Sequence, residues 1–252
     1  MDRIVRMLAI GAACGALALP IAAQEIDDAS LLAAFDAATA LDADATGLIV
    51  RIVSETADGT RDATIRLQFR STDAGSSARI EFLAPDELAG QIYLSTPDGT
   101  FFFGPDLDFP IRTGATAEVF GDAAVAQTSG IAFSGDYRIA ERRSIAGDDG
   151  ALLLEVELVA TDPAVAFQEI TVIADPDSLR PISAVLHAIS GLPLYDLHYL
   201  EYAVRGGADV YVRRQEIVNR LLAGNRTMSE ILEISTDEVP ASQFDPDALG
   251  AS

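Results

Sequence analysis

The sequence predicts a mainly β protein with some α-helix, built as one large, strongly curved antiparallel sheet. Three observations predict it. Apolar and polar residues alternate with a period of two in about twelve short segments. Clusters of Gly, Pro and Asp divide those segments from one another. A single long amphipathic segment with helical spacing precedes them all.

The chain begins MDRIVRMLAIGAACGALALPIAAQE. Arg3 and Arg6 form a charged start, Met7 to Leu19 an apolar run, and small residues lead out to Ala23, the pattern of a secretory signal peptide cleaved near Ala23. The run is shorter than the roughly 20 apolar residues that a spanning helix needs. Residues 24–252 are expected to form a single exported domain. The only cysteine, Cys14, lies in the leader, and Gly11 stands where a lipidation box calls for a branched aliphatic residue. Stability is therefore expected from packing without disulfides.

Residues 27–42, DDASLLAAFDAATALD, read as a helix: Leu31, Leu32, Phe35, Ala38 and Leu41 recur on one face, with Asp27 or Asp28 placed to cap the first turn. From Thr46 the period becomes two. Leu48, Val50 and Ile52 alternate with Ile49, Arg51 and Val53; after the turn ADGT, Ile65, Leu67 and Phe69 alternate with polar neighbours. Segments 77–84, 90–95 and 100–103 extend the meander. Between Pro110 and Gly135 the alternation fades into alanine-rich sequence that favours a short helix and a loop. Strands are expected again at 136–144, 151–160, 167–175, 181–190, 194–204, 209–221 and 227–236, with no linker dividing the chain.

Residues 101–103 are three consecutive phenylalanines. In a strand Phe101 and Phe103 point one way and Phe102 the other, so both faces of this strand need apolar company. Core and cavity lining are chemically alike at this level.

The formal charge is −22, from 39 acidic and 17 basic residues, which argues against nucleic acid or anionic headgroups as partners bound by charge. Chemistry-bearing motifs are sparse. His187 and His198 fall on neighbouring strands without metal-ligand spacing, so no metal and no cofactor are expected. The pairs Asp42/Asp44, Asp106/Asp108, Asp175/Asp177 and Asp245/Asp247 read as turn residues. No G-x-S-x-G elbow or glycine-rich phosphate loop occurs, and an enzyme is not expected. The densest positive patch holds Arg213, Arg214 and Arg220, which are expected to pair with nearby carboxylates.

The phrases SARIEFLAPDELAGQIYLSTPDGTFFFGP, EITVIADPDSLRPISAVLHAISGLPLYDLHYLEYAVRGG and VNRLLAGNRTMSEILEISTDEVPASQFDPDAL, in that order, resemble the LolA/LolB-like superfamily of periplasmic lipoprotein carriers, particularly its outer membrane lipoprotein-sorting branch. Pro85, Asp98-Gly99, Phe101 to Phe103 and Pro105 stand where that family places its proline-marked loop, DG turn and aromatic strand. The resemblance covers roughly residues 26–250. It implies an incompletely closed β half-barrel with helices as a lid over an apolar cavity, a periplasmic location, and carriage of acyl chains toward the outer membrane. The partners it implies are an acylated lipoprotein or phospholipid, an inner-membrane transporter and an outer-membrane acceptor. A non-catalytic partner-binding or sensor module of a cell-envelope complex is the alternative. The expected cavity lining is Leu31, Phe35, Leu48, Val50, Leu67, Phe69, Ile80, Phe82, Ile92, Leu94, Phe101 and Phe103. The chain departs from the family in having no tryptophan, and the arginine that controls the lid in such carriers is assigned to neither Arg51 nor Arg79.

Overall fold

The computed structural model describes residues 26–39, 45–72, 75–113, 118–120, 123–124, 131–205 and 209–249. The leader with Cys14, and the pair Asp42/Asp44, lie outside the described residues. The expected amphipathic helix is present as α1, Asp28–Thr39. Its cap is Asp27: one carboxylate oxygen accepts the Ser30 amide at 2.9 Å and the other the Ser30 hydroxyl at 2.7 Å. Leu31, Leu32, Phe35 and Ala38 make its buried stripe.

Fifteen strands follow α1 in the described chain. β1 (Gly47–Thr56), β2 (Gly59–Thr72), β3 (Gly75–Ala84), β4 (Ile92–Thr96), β5 (Gly99–Phe103) and β6 (Ile111–Thr113) form a first meander. β7 (Glu118–Phe120) and β8 (Ala123–Ala124) make a small separate pair. After the one-turn helix α2 (Phe133–Asp136) come β9 (Tyr137–Ala146), β10 (Leu152–Ala160), β11 (Glu169–Ala174), β12 (Pro181–His187), β13 (Pro193–Arg205), β14 (Asp209–Asn219) and β15 (Arg226–Ser235). Two 3₁₀ turns, Ala241–Phe244 and Pro246–Ala248, close the described chain.

Thirteen of the strands make one antiparallel sheet in the order β6-β5-β4-β3-β2-β1-β15-β14-β13-β12-β11-β10-β9. The two meanders join where β1 pairs with β15, so the first and last strands of the sequence lie at the centre of the sheet. β6 and β9 are its edges, and the sheet curves without closing: an open half-barrel with helices as its lid. Hairpin tips fall at the expected turns. Gly59 and Gly99 take φ of 126° and 141°, values that L side chains rarely adopt, which explains the Asp-Gly pairs there.

One stretch differs from expectation. Between Pro110 and Gly135 the described residues contain three short strands, and the helix α2 is only one turn long. Ile111 and Arg112 pair with Phe102 and Phe101. The free edge of β5 supplies the ladder hydrogen bonds that this stretch's own composition does not promote.

Candidate functional site

Paired residues in an antiparallel ladder point to the same face, so register decides what faces what. Taking the inner face as the one on which α1 packs, it can be followed across the sheet. Leu197 lies opposite both Ala184 and Ile217, Ile217 opposite Thr227, and Thr227 opposite Ser54. On β1, Ser54 shares its face with Ile52, Val50 and Leu48, which lie opposite Ala63, Ile65 and Leu67 of β2. Leu67 and Ile65 lie opposite Ile80 and Phe82, and Ile80 opposite Tyr93. Tyr93 in turn lies opposite Phe102. Apolar surface therefore runs along the inner side of both halves, interrupted at their seam by Thr227 and Ser54.

That surface divides into two clusters. The first carries the lid: Leu31, Leu32 and Phe35 of α1 and Phe133 of α2 pack on Val156, Leu158, Ile170, Val172, Leu186 and Leu197 of the second meander. Phe35 and Phe133 meet edge to face with centroids 5.5 Å apart. Asp36 latches the two helices, one carboxylate oxygen accepting the Phe133 amide at 2.6 Å and the other the Ser134 amide at 2.9 Å. The second cluster comprises Leu48, Val50, Ile52, Ala63, Ile65, Leu67, Ile80 and Phe82, with Phe69, Leu88, Tyr93, Ile231 and Ile234 against them. Among the described residues it contains no helical side chain.

The expected lining is thus distributed over three places. Leu48, Val50, Leu67, Phe69, Ile80 and Phe82 are brought together on the inner face of the first meander. Leu31 and Phe35 sit under the lid on the other half. Ile92, Leu94, Phe101 and Phe103 share the outer face, because Ile80 pairs with Tyr93 and the residues on either side of Tyr93 must point away. There Ile92 and Leu94 cluster with Phe244 of the first 3₁₀ turn and Leu249 just after the second, with Phe103 and Val239 beside them. The middle phenylalanine, Phe102, is the inner one; its ring lies 4.9 Å from Tyr93, which lies 6.4 Å from Phe82. The expected lining did not include Tyr93 or Phe102, although the sequence already set Phe102 on the face opposite Phe101 and Phe103. The signal that finds them is the register of β3 with β4, fixed by the loop 85–91, in which the Leu88 and Ala89 amides both donate to Pro85 O.

Polar groups on the inner face are few and mostly satisfied internally. Thr227 Oγ1 and Ser54 Oγ, both buried, are 3.3 Å apart. Under the lid the Tyr137 hydroxyl donates to Phe167 O at 3.0 Å, and burial, with Asp136 nearby, pushes its pKa up to about 12. Burial likewise raises Tyr199, and Tyr202, whose hydroxyl donates to Pro181 O at 2.6 Å. None of these tyrosines ionises near neutral pH.

The outer face carries the charges. Arg51 binds Asp62 through both its Nε and Nη2, Arg213 bridges Glu201 (3.1 Å) and Glu230 (3.2 Å), Arg220 binds Asp196 (2.8 Å), and Arg226 binds Glu55 (2.7 Å). Arg79, largely buried, lies on this face as well, opposite Leu94 and bound to Gln68 (3.1 Å) and Glu81 (2.8 Å). His198 pairs with Ser183 and His187 with Pro193, so the two histidines do not face each other across the strands. Among the described residues no group of three or more His, Cys, Asp or Glu side chains could hold a metal ion. Asp175 accepts the amides of Asp177 and Ser178, and Asp245 that of Asp247, as turn residues do.

No protein-family model and no curated protein sequence matches the chain. Solved structures do. A LolA superfamily protein from Nitrosomonas europaea superposes with a TM-score of 0.73 at 20% identity, over 89% of this chain and 100% of that one. The chain has a LolA-like fold. An outer membrane lipoprotein-sorting protein domain from Vibrio parahaemolyticus superposes at 0.67 and 15% identity, over 88% of this chain and 97% of that one. A DUF1329 family protein from Desulfovibrio piger does so at 0.71 and 13%, over 88% and 97%. At these identities the LolA-like likeness is one of fold. Within it, the lid of this chain stands over the second meander, and the first meander offers the longer run of inner surface free of helical side chains among the described residues.

Proposed function

We propose that the protein is a periplasmic carrier that holds the acyl chains of a lipoprotein or phospholipid against the inner face of the half-barrel and carries them toward the outer membrane. The observation that carries this reading is the apolar inner surface of both halves, lidded by helix over the second meander and, among the described residues, by none over the first, in a chain of formal charge −22. Each CH₂ taken out of water contributes about 0.8 kcal/mol, so an acyl chain does not cross an aqueous space unaccompanied, and a lidded apolar face holds it reversibly. No chemistry on the cargo is needed. The lining is Leu48, Val50, Leu67, Phe69, Ile80 and Phe82, extended by Tyr93 and Phe102. Donor and acceptor would be an inner-membrane transporter and an outer-membrane receptor, as the family resemblance implies.

The test is native mass spectrometry of the protein purified from an envelope that makes its own lipids, followed by extraction and lipid identification. A stoichiometric acylated ligand supports the reading. A clean unliganded mass, with no uptake of added phospholipid or acylated peptide, refutes it. One observation favours a second reading, a partner-binding or sensor module whose barrel is filled by its own side chains: Leu48, Val50, Ile65, Leu67, Ile80 and Phe82 are all buried, none more than 7% exposed. Under that reading the unliganded mass is the expected one.

A further inference from the structure

Two neighbouring hairpin tips break the charge pattern of this chain. Residues 188–192 join β12 to β13 and residues 220–225 join β14 to β15; because Tyr195 pairs with Asn219, the tips emerge side by side from one rim. Ile189, Leu192, Leu221 and Leu222 project from them, at 83%, 51%, 57% and 54% exposure. The tips are firmly built. Asn219 Oδ1 accepts the amides of both Leu221 (2.8 Å) and Leu222 (3.0 Å), and the Ala188 amide donates to Leu192 O at 2.9 Å. The leucines are thus held in water by ordered backbone, at a cost that a soluble surface has no reason to carry.

Charge says what they meet. In a chain with 39 acidic residues, no carboxylate occurs over 187–193 or 220–226, while the tips on either side carry Asp58 and Asp162. The only charged side chains in the two stretches are Arg220 and Arg226, at the base of the second tip and bound to Asp196 and Glu55. Apolar ends, no acids and arginines set back from the tip suit a lipid interface, where long basic side chains keep their heads in water and carboxylates are costly. Protruding tips also fit a deformable surface better than a shaped protein groove. We propose that these paired tips dock the half-barrel end-on to a zwitterionic phospholipid surface. The contact itself is independent of the carrier reading; its use, passing an acyl chain between bilayer and inner face, rests on that reading.

The chain has no tryptophan, so one introduced residue reports alone. Leu222→Trp is placed at the tip and Val204→Trp, 63% exposed at the far end of β13, is the control. Vesicles of phosphatidylcholine and phosphatidylethanolamine should shift the Leu222→Trp emission to the blue, brominated acyl chains should quench it, and the control should not respond. Adding Ile189→Asp should lower vesicle partitioning about tenfold, the factor that partial burial of one aliphatic side chain represents. Equal responses at both positions overturn the proposal. So does a tip unmoved by vesicles: a shift on raising protein concentration alone then assigns it to a second copy of the chain, and no shift at all to a protein partner. Binding of a fluorescent fatty acid in vesicle-free solution, measured on the same variants, separates the two readings: a tip indifferent to vesicles in a protein that binds the probe removes docking and keeps the carrier.

Discussion

Replacing Phe35 with alanine tests whether the lid and the first meander are separate structural units. Phe35 is fully buried and meets Phe133 edge to face. Removing such a ring costs about 3–5 kcal/mol, the aromatic pair included. The location of the loss is the sharper test. Phe35 belongs to the cluster of the second meander, and no side chain of α1 belongs to the cluster around Leu48 and Phe82. Hydrogen exchange read by mass spectrometry should therefore show lost protection in α1, α2 and β10–β14, with β1–β4 protected as before. Protection lost evenly across β1–β5, or a stability change below about 1 kcal/mol, would refute the assignment of the lid to one half.

Three further outcomes follow from the register and the turns. Phe102→Asp, on the inner face, should weaken binding of a fluorescent fatty acid at least about tenfold, whereas Phe101→Asp, on the outer face, should leave it nearly unchanged; the reverse order would mean that the β4–β5 register is misassigned. Phe244→Ala should lower stability by about 3 kcal/mol and raise dye binding by uncovering Ile92 and Leu94, without altering fatty-acid affinity, as urea titration and probe binding would show. The Asp175 carboxyl is held below its ordinary range, chiefly by the Ser178 amide and then by the Ser178 hydroxyl, and Asp27 likewise by Ser30. Their stabilisation is complete above the unfolded carboxylate value of about 3.9 and is lost as pH falls through the lower folded values, so the urea midpoint should drop below about pH 4 and Asp175→Asn should flatten that drop.

The legible parts of this molecule are those governed by local pattern. The period of two in β1 and β2, the stripe Leu31, Leu32, Phe35 and Ala38, and the Asp-Gly turns are short-range features, and all stand where the sequence predicts them. Which way Phe101 to Phe103 face is not local. An all-apolar run has no alternation to read, and here both faces are apolar for different reasons: Tyr93 waits on one and Phe244 with Leu249 covers the neighbouring residues on the other. The landing place of α1 is also a long-range fact, since a helix that precedes β1 in sequence packs on β12 and β14. Nothing in DDASLLAAFDAATALD distinguishes one apolar half of the sheet from the other.

This division bears on how a half-barrel of this kind could open. α1 and α2 are joined by the Asp36 carboxylate, which accepts two amides of α2, and by the Phe35–Phe133 contact. Parting the helices would leave the half-buried Phe133 amide without its acceptor and separate two packed rings, whereas the exposed Ser134 amide can turn to water. The first meander has no such strap: its inner cluster is held by strand side chains and Leu88 among the described residues. Its outer side is tied down instead, by Phe244 and Leu249 on Ile92 and Leu94 and by Arg79 on Glu81 and Gln68. Ligand entry that parted α1 from α2 would have to undo the Asp36 latch, and Asp36→Ala should then speed acyl-probe uptake. Entry along the first meander would leave that rate untouched, and only the rate, not the affinity, separates the two routes.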